Sequence, residues 1–323
     1  MSRRERVLVE PAWLEARLGD PALVIVEVDE RPLIYRLGHV PGAHCLDWRT
    51  DLQDPVTRDL PSPAAIRRLW QRIGVHPDST VVLYGDKSNW YACFGFWLFR
   101  LFGLRELRVV DGGRQAWVSE GRPLTQEEPP ENVITPEEVP RPRRSPSLRA
   151  SWQDTLAAIT GATQLLDVRT PAEYRGDVLT EPGYAHEGAQ RPGHIPGALS
   201  VPWDICVNGD GRLLADDELR QRLAARGVRL DRPAITYCRI GERSAHTWFV
   251  LHELLGAPAR NYDGSWTEWG SMIGMPVALG DEPDGGRSAT RRRSAAGRLS
   301  PSAGSPPARA PGQRRSRTPG HRA

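Results

Sequence analysis

The sequence predicts an α/β protein of two tandem domains, each a mainly parallel sheet flanked by helices, followed by a disordered C-terminal tail. Three observations carry this. At 323 residues the chain is longer than one ordinary core supports. Its first half recurs in its second. Within each half, short apolar runs alternate with helical patterns, the order that gives parallel sheets covered on both faces.

The recurrence is direct. GHVPGAHCLDW, Gly38 to Trp48, returns as GHIPGALSVPW, Gly193 to Trp203, 155 positions later. LVIVEVDERP and TQLLDVRTPA precede these segments as β-rich runs ending in an acid and turn residues. Downstream, VVLYGDKSNWYACFGFWLFRLFG aligns without a gap on AITYCRIGERSAHTWFVLHELLG at an offset of 153, and VVDGGRQAW matches RNYDGSWTEW at 152. Four matches in one order at nearly one offset identify a duplicated domain.

Each copy reads, in order, as an apolar strand, the G-H-[VI]-P-G-A loop, a polar helix, a second strand, a tight loop and an amphipathic helix. PAAIRRLWQRIG and DDELRQRLAARG are helical by periodicity and end at glycine, whereas STVVLYG and RPAITYC are short buried strands. The expected domains are 1–125 and 149–280. Residues 126–148, rich in proline and charge, read as a linker. Residues 281–323 hold almost no apolar side chain and read as a disordered Arg/Ser/Pro-rich tail.

The net charge of +3 comes from that tail, whose ten arginines and three acids leave residues 1–280 at −4. The tail reads as a solvated extension, and no nucleic-acid partner is expected. The four cysteines form no C-x-x-C pair and no cluster at zinc spacing, so neither a disulfide framework nor a metal site is indicated, and no cofactor is expected. The start of the chain has no apolar leader core. WYACFGFWLFRLFG, the most apolar stretch, is interrupted by Arg100 well short of a membrane span. A soluble cytoplasmic protein with no membrane partner is the expectation.

The segment ITYCRIGERSAH concentrates the chemistry. Cys238 falls where a strand turns into a helix, the place where open α/β sheets hold ligands. Gly241 lets the loop curl so that successive amides can point inward, and Arg239 and Arg243 add fixed positive charge. These features predict a depressed thiol pKa and a nucleophilic sulfur. A cysteine phosphatase needs C-x5-R to wrap a tetrahedral phosphate. Here the sixth residue after Cys238 is Ser244 and Arg243 stands one place early, so the shorter loop suits a smaller sulfur species.

The tandem repeat, the CRIGERS loop and YDGSWTEWG together resemble the two-domain rhodaneses, the thiosulfate sulfurtransferase family, over about residues 5 to 280. The resemblance implies two rhodanese-like domains, the first catalytically silent, since Gly85 stands opposite Cys238 and YGDKSNW contains no thiol. It implies transfer of the outer sulfur of thiosulfate through a Cys238 persulfide to cyanide, a thiol or a thioredoxin-type acceptor, with release of sulfite. Arg239, Ile240, Gly241, Glu242, Arg243 and Ser244 would bind the substrate, with Glu242 pointing outward and paired with an arginine. Family members in animals use an arginine near the start of the second domain. Glu173 aligns there in this chain, and Arg175 is the candidate donor contact in its place. The first domain would wall one side of the cleft with Trp48 or Arg49.

Tyr237 and the Asp167–Arg169 pair read as structural, as do His39 and His194, which occur in both copies. His246 reads as a core or helix-surface histidine, and Cys45, Cys93 and Cys206 as packing residues. Two alternatives stand beside thiosulfate transfer. One is a 3-mercaptopyruvate sulfurtransferase, a class in which small neutral residues more commonly follow the cysteine; the other is a non-catalytic sulfur-carrier or regulatory module.

Overall fold

The computed structural model describes residues 1–129, 134–180 and 188–285. The tail expectation for 281–323 therefore lies almost wholly outside the described residues.

In the first half, α1 (Arg3–Val7), β1 (Leu8–Val9), α2 (Pro11–Glu15), β2 (Leu23–Asp29), α3 (Leu33–Arg36), β3 (His44–Asp47), α4 (Pro63–Arg72), β4 (Thr80–Tyr84), α5 (Trp90–Leu101), β5 (Leu107–Val110) and α6 (Gly113–Ser119) follow one another. The sheet order is β1-β5-β4-β2-β3, all parallel. β2 and β4 are central and covered on both faces, which is why LVIVEVD and TVVLY are nearly unbroken apolar runs instead of alternating ones. Ser62 caps α4 by accepting from the Ala65 amide, with Pro63 at the first helical position.

The second half repeats this with α7 (Trp152–Ala158), β6 (Gln164–Asp167), α8 (Pro171–Arg175), β7 (Leu199–Ser200), α9 (Asp216–Ala225), β8 (Ala234–Tyr237), α10 (Glu242–Trp248), β9 (Ala259–Asn261) and α11 (Ser265–Trp269). Its parallel sheet, β7-β6-β8-β9, is the first sheet without β1. The missing strand survives as a single parallel bridge, Arg149 to Asn261. The helix that follows the Cys238 turn begins at Glu242 and continues beyond Trp248 as a π-helical stretch, Phe249–Leu254.

The apolar stretch WYACFGFWLFRLFG is the contact between the halves. α5 is buried over all but one of its residues and packs on α10, its own counterpart in the repeat. Phe96 meets Phe249 edge-on at 4.9 Å, and Trp90 meets Trp203 edge-on at 4.8 Å. One apolar cluster accordingly runs through both halves. No helix among the described residues is long and apolar enough to cross a membrane. The segment between the halves is held along α5: the Ser145 amide donates to the Leu101 carbonyl and the Trp97 indole to the Leu148 carbonyl.

The recurring histidines are structural in both copies. His39 stacks on Tyr35 and reaches the Tyr35 and Glu127 carbonyls, while His194 stacks on Tyr174 and reaches those of Tyr174 and Pro283. Each ring thus ties its G-H-[VI]-P-G-A loop to the segment that closes the same half. Asp167 and Arg169 form a buried ion pair at 2.6 Å, and the Tyr237 hydroxyl accepts from the Ile195 amide.

The loop after β4 is closed by its own side chain. The Gly85 amide donates to Asn89 Oδ1 at 3.0 Å, and Asn89 Nδ2 donates to the Val110 carbonyl. A Cβ on Gly85 would overlap the Val28 carbonyl oxygen. Gly85→Ala should therefore lower stability by about 2–3 kcal/mol through overpacking; a denaturation midpoint equal to wild type would contradict this account.

Candidate active site

Cys238, Arg239, Ile240 and Gly241 form the turn between β8 and α10. Gly241 adopts φ +106°, and a Cβ there would stand 2.9 Å from Asp263 Cα and from its carbonyl oxygen, so only glycine fits. The turn is tied down along its length. The Cys238 amide donates to Ser265 Oγ at 3.1 Å, the Trp266 amide to the Cys238 carbonyl, and the Thr267 amide and hydroxyl to the Arg239 carbonyl. Ser244 Oγ donates to Asn261 Oδ1 at 2.7 Å, and Asn261 Nδ2 donates to the Gly241 carbonyl.

Cys238 is buried, and its sulfur lies within hydrogen-bond range of the Gly241 amide and the Glu242 carboxylate, with Ser244 also hydrogen-bonding to it. The Gly241 amide donates to Sγ at 3.1 Å, as the glycine curl predicts. The thiol in turn donates to Glu242 Oε2 at 3.4 Å. This corrects two expectations. Glu242 does pair with an arginine, Arg239 at 3.4 Å, but it points inward and is 1% exposed. The Cys238 thiol is also pushed up rather than down: burial is the first cause and the Glu242 charge the second, only partly offset by Arg243 and by hydrogen bonding from Ser244.

Arg243 is held within the protein. Its two Nη atoms bind Glu173 at 2.8 and 3.0 Å, both side chains are buried, and its guanidinium lies over the Trp90 ring. Its charge is thereby committed to the residue that stands where the resemblance led one to look for an arginine. Glu173 also accepts from the Thr170 amide and hydroxyl, so one carboxylate caps α8 and anchors α10. Arg175, the candidate donor contact, takes no part in the turn: it pairs with Asp177 and Asp281, and its carbonyl accepts from the Gly280 amide.

His246 is buried edge-on against Trp203, and burial lowers it to about 4, in keeping with a core histidine. Cys93 and Cys206 are buried and Cys45 is half-buried, and burial raises all three thiols. Among the described residues no group of acids, histidines and cysteines is arranged to hold a metal.

A cleft of about 700 Å³ opens beside the turn, with Ile240 and Tyr262 on one wall and Gln53, Leu60 and Phe94 on the other. Trp48, expected on this wall, is buried instead in the common core with Arg49 stacked over its ring. Arg149 spans the cleft, pairing with Asp59 of the first half at 2.8 Å and with Asp263 of the second at 2.7 Å. Sequence reasoning missed this clasp, and it missed Ser265. The signal for Ser265 was present: the repeat places Gly113 opposite it, both at positive φ, 53° and 54°. A serine in a glycine conformation is strained, and its hydroxyl is what holds the Cys238 amide.

The Arg243–Glu173 pair sets an acid limit. Burial alone would raise the Glu173 carboxyl, but the charge and hydrogen bonds of Arg243 bring it down from 4.5 to about 2. A depressed folded-state value contributes stability that is complete above the unfolded value and is lost as pH falls toward the folded one. The pair's contribution should therefore fade between 4.5 and about 2. Glu173→Gln should lose about 3 kcal/mol at neutral pH and show a weaker acid dependence; urea unfolding of both proteins across that range is the check.

Comparison with known proteins agrees with this architecture. The model of the rhodanese-like domain matches twice, at residues 10–120 and 151–272. "Sulfur carrier protein TtuD" of Thermus thermophilus is 48% identical over 281 residues, 85% of this chain and 98% of that protein. A Mycolicibacterium smegmatis protein named "Putative thiosulfate sulfurtransferase" is 45% identical over 280 residues, 86% of this chain and 99% of its own. Among solved structures, YnjE superposes with a TM-score of 0.74 at 24% identity, covering 87% of this chain and 70% of its own. EanB, in a cysteine-persulfide state with ergothioneine, superposes with 0.74 at 21%, covering 87% and 72%; at these identities the two structures speak to the fold. With both halves matched and relatives aligned over nearly their whole length, the chain belongs to the rhodanese-like family as a tandem of two such domains.

Proposed function

We propose that this protein is a sulfurtransferase that carries the outer sulfur of thiosulfate on Cys238. The observation that carries the reading is the Cys238 sulfur seated in a turn whose Gly241 amide points at it. A persulfide is an anion with its charge on the outer sulfur, and fixed amides in a buried turn stabilise it without reorganising. In the first half-reaction Cys238 attacks the outer sulfur of thiosulfate and sulfite departs with the electron pair of the broken S–S bond. In the second, cyanide or a thiol takes the sulfur and regenerates the cysteine, a ping-pong sequence.

Within this reading the first domain is silent. Its corresponding loop has Gly85 in place of the cysteine and is filled by Asn89. Arg239 attracts the dianionic donor. Arg243, held by Glu173, shapes the turn rather than meeting the substrate. A protein thiol, of thioredoxin type or on a dedicated partner, is a second acceptor class. Support for it is the cleft of about 700 Å³, far larger than thiosulfate or cyanide, and the name of the Thermus relative as a sulfur carrier.

Intact mass after incubation with thiosulfate and desalting without reductant should rise by about one sulfur atom, the gain should vanish on adding cyanide, and Cys238→Ser should show no gain. A gain with 3-mercaptopyruvate alone would change the donor and keep the persulfide. No gain with either donor would overturn the sulfurtransferase reading.

A further inference from the structure

The resting geometry poses a question of proton balance. Sγ carries a proton, donated to Glu242 Oε2 at 3.4 Å, and the residue is shut off from solvent. Before or while the sulfur attacks a donor, that proton must leave it. His246 lies on the same helix, but its ring packs on Trp203 and makes no hydrogen bond with Sγ. The other partners of Sγ, the Gly241 amide and Ser244, act as donors to it. Among the described residues Glu242 is the carboxylate in hydrogen-bond contact with Sγ.

We propose that Glu242 is a catalytic residue, the general base that takes the Cys238 proton through Oε2 and then passes it to the departing sulfite. The inference rests on the sulfurtransferase reading of Cys238. For thiosulfate, the thiol and the dianion give a persulfide anion and hydrogen sulfite. The Sγ–H bond and the donor's S–S bond break, and a new S–S bond forms at Sγ. The electron pair of the old S–S bond leaves with sulfite, and the proton travels from Sγ to Oε2 to sulfite. The cysteine sulfur is oxidised by the same amount as the sulfonate sulfur is reduced, so no further oxidant enters.

The transfer also settles an electrostatic conflict. A carboxylate beside Sγ repels a dianion; protonated, it no longer does, and its hold on Arg239, whose Nη2 is 3.4 Å from Oε1, weakens. The remaining charges around Glu242 are already committed. Arg243 Nε lies 4.0 Å away with its Nη atoms on Glu173, and Asp263, behind Gly241, is held by Arg149. β8 carries no charged side chain, and α5 carries Arg100, paired with Glu253 beside His252. β9 carries Arg260, paired with Asp154, and Asp204 lies in the turn Trp203–Cys206.

The test is the pH profile of two reactions of the full-length protein, single-turnover persulfide formation from thiosulfate and alkylation by iodoacetamide. With an internal base, both wild-type rates should level off over about two pH units below the thiol's own titration, whereas Glu242→Gln should fall about tenfold per pH unit there. Glu242→Asp, one methylene shorter, should keep a level region at lower height. A Glu242→Gln profile merely displaced to lower pH, with the wild-type shape, would reduce Glu242 to an electrostatic neighbour and overturn the proposal, as would Gln and Asp variants that behave alike. If wild type is alkylated with the level region but forms no persulfide, the sulfur-transfer reading fails while the base assignment for this thiol stands.

Discussion

The packing of α5 on α10 is the constraint from which the rest of the architecture follows. Because they are equivalent helices of a repeat, their meeting brings the two domains together through corresponding faces; Phe96 meets its repeat counterpart Phe249 just beyond α10, and Trp90 meets Trp203 of the neighbouring turn. Each large aromatic pair adds specific edge-to-face geometry to its buried area. The turn that carries Cys238 is the lead-in to α10, so whatever fixes α10 against α5 also fixes the sulfur at the seam. Arg243 makes that link explicit by reaching Glu173 within its own half while lying over Trp90 of the other.

The same fold tolerates two loops of opposite character at equivalent places. In the first, Asn89 supplies a neutral amide to the Gly85 N–H and the following segment relaxes into glycine at position 113. In the second, the residue equivalent to Asn89 is Glu242, the sulfur occupies the space, and Ser265 accepts backbone strain in order to hold the Cys238 amide. Backbone strain is common to both loops, since Lys87, Ser88 and Asn89 of the first also stand at positive φ. What sets the second apart is a buried carboxylate beside a buried thiol, a costly arrangement that the first loop lacks and a physical signature of function.

Much of this was legible in the sequence because duplication leaves a pattern independent of any single residue. The alternation of strands and helices, the two recurring histidine loops and the position of Cys238 at a strand-to-helix turn all follow from runs and offsets. The charges were not legible. Two arginines flanking a cysteine read as a cationic setting, but Glu173, 70 positions upstream, neutralises one of them and Glu242 turns inward to meet the other. The direction of the thiol's shift was misjudged for the same reason, since burial and a facing carboxylate outweigh charges that are visible only as letters. Arg149 escaped notice because its partners, Asp59 and Asp263, lie in different halves of the chain.

The filled loop of the first domain bears on how such a duplicate can change over time. A thiol at position 85 would require a Cβ where the Val28 carbonyl stands, and Asn89 would still occupy the pocket. A single replacement at position 85 therefore meets an occupied loop: a side chain there needs the Val28 backbone to shift, and a sulfur beyond it needs the Asn89 amide moved as well.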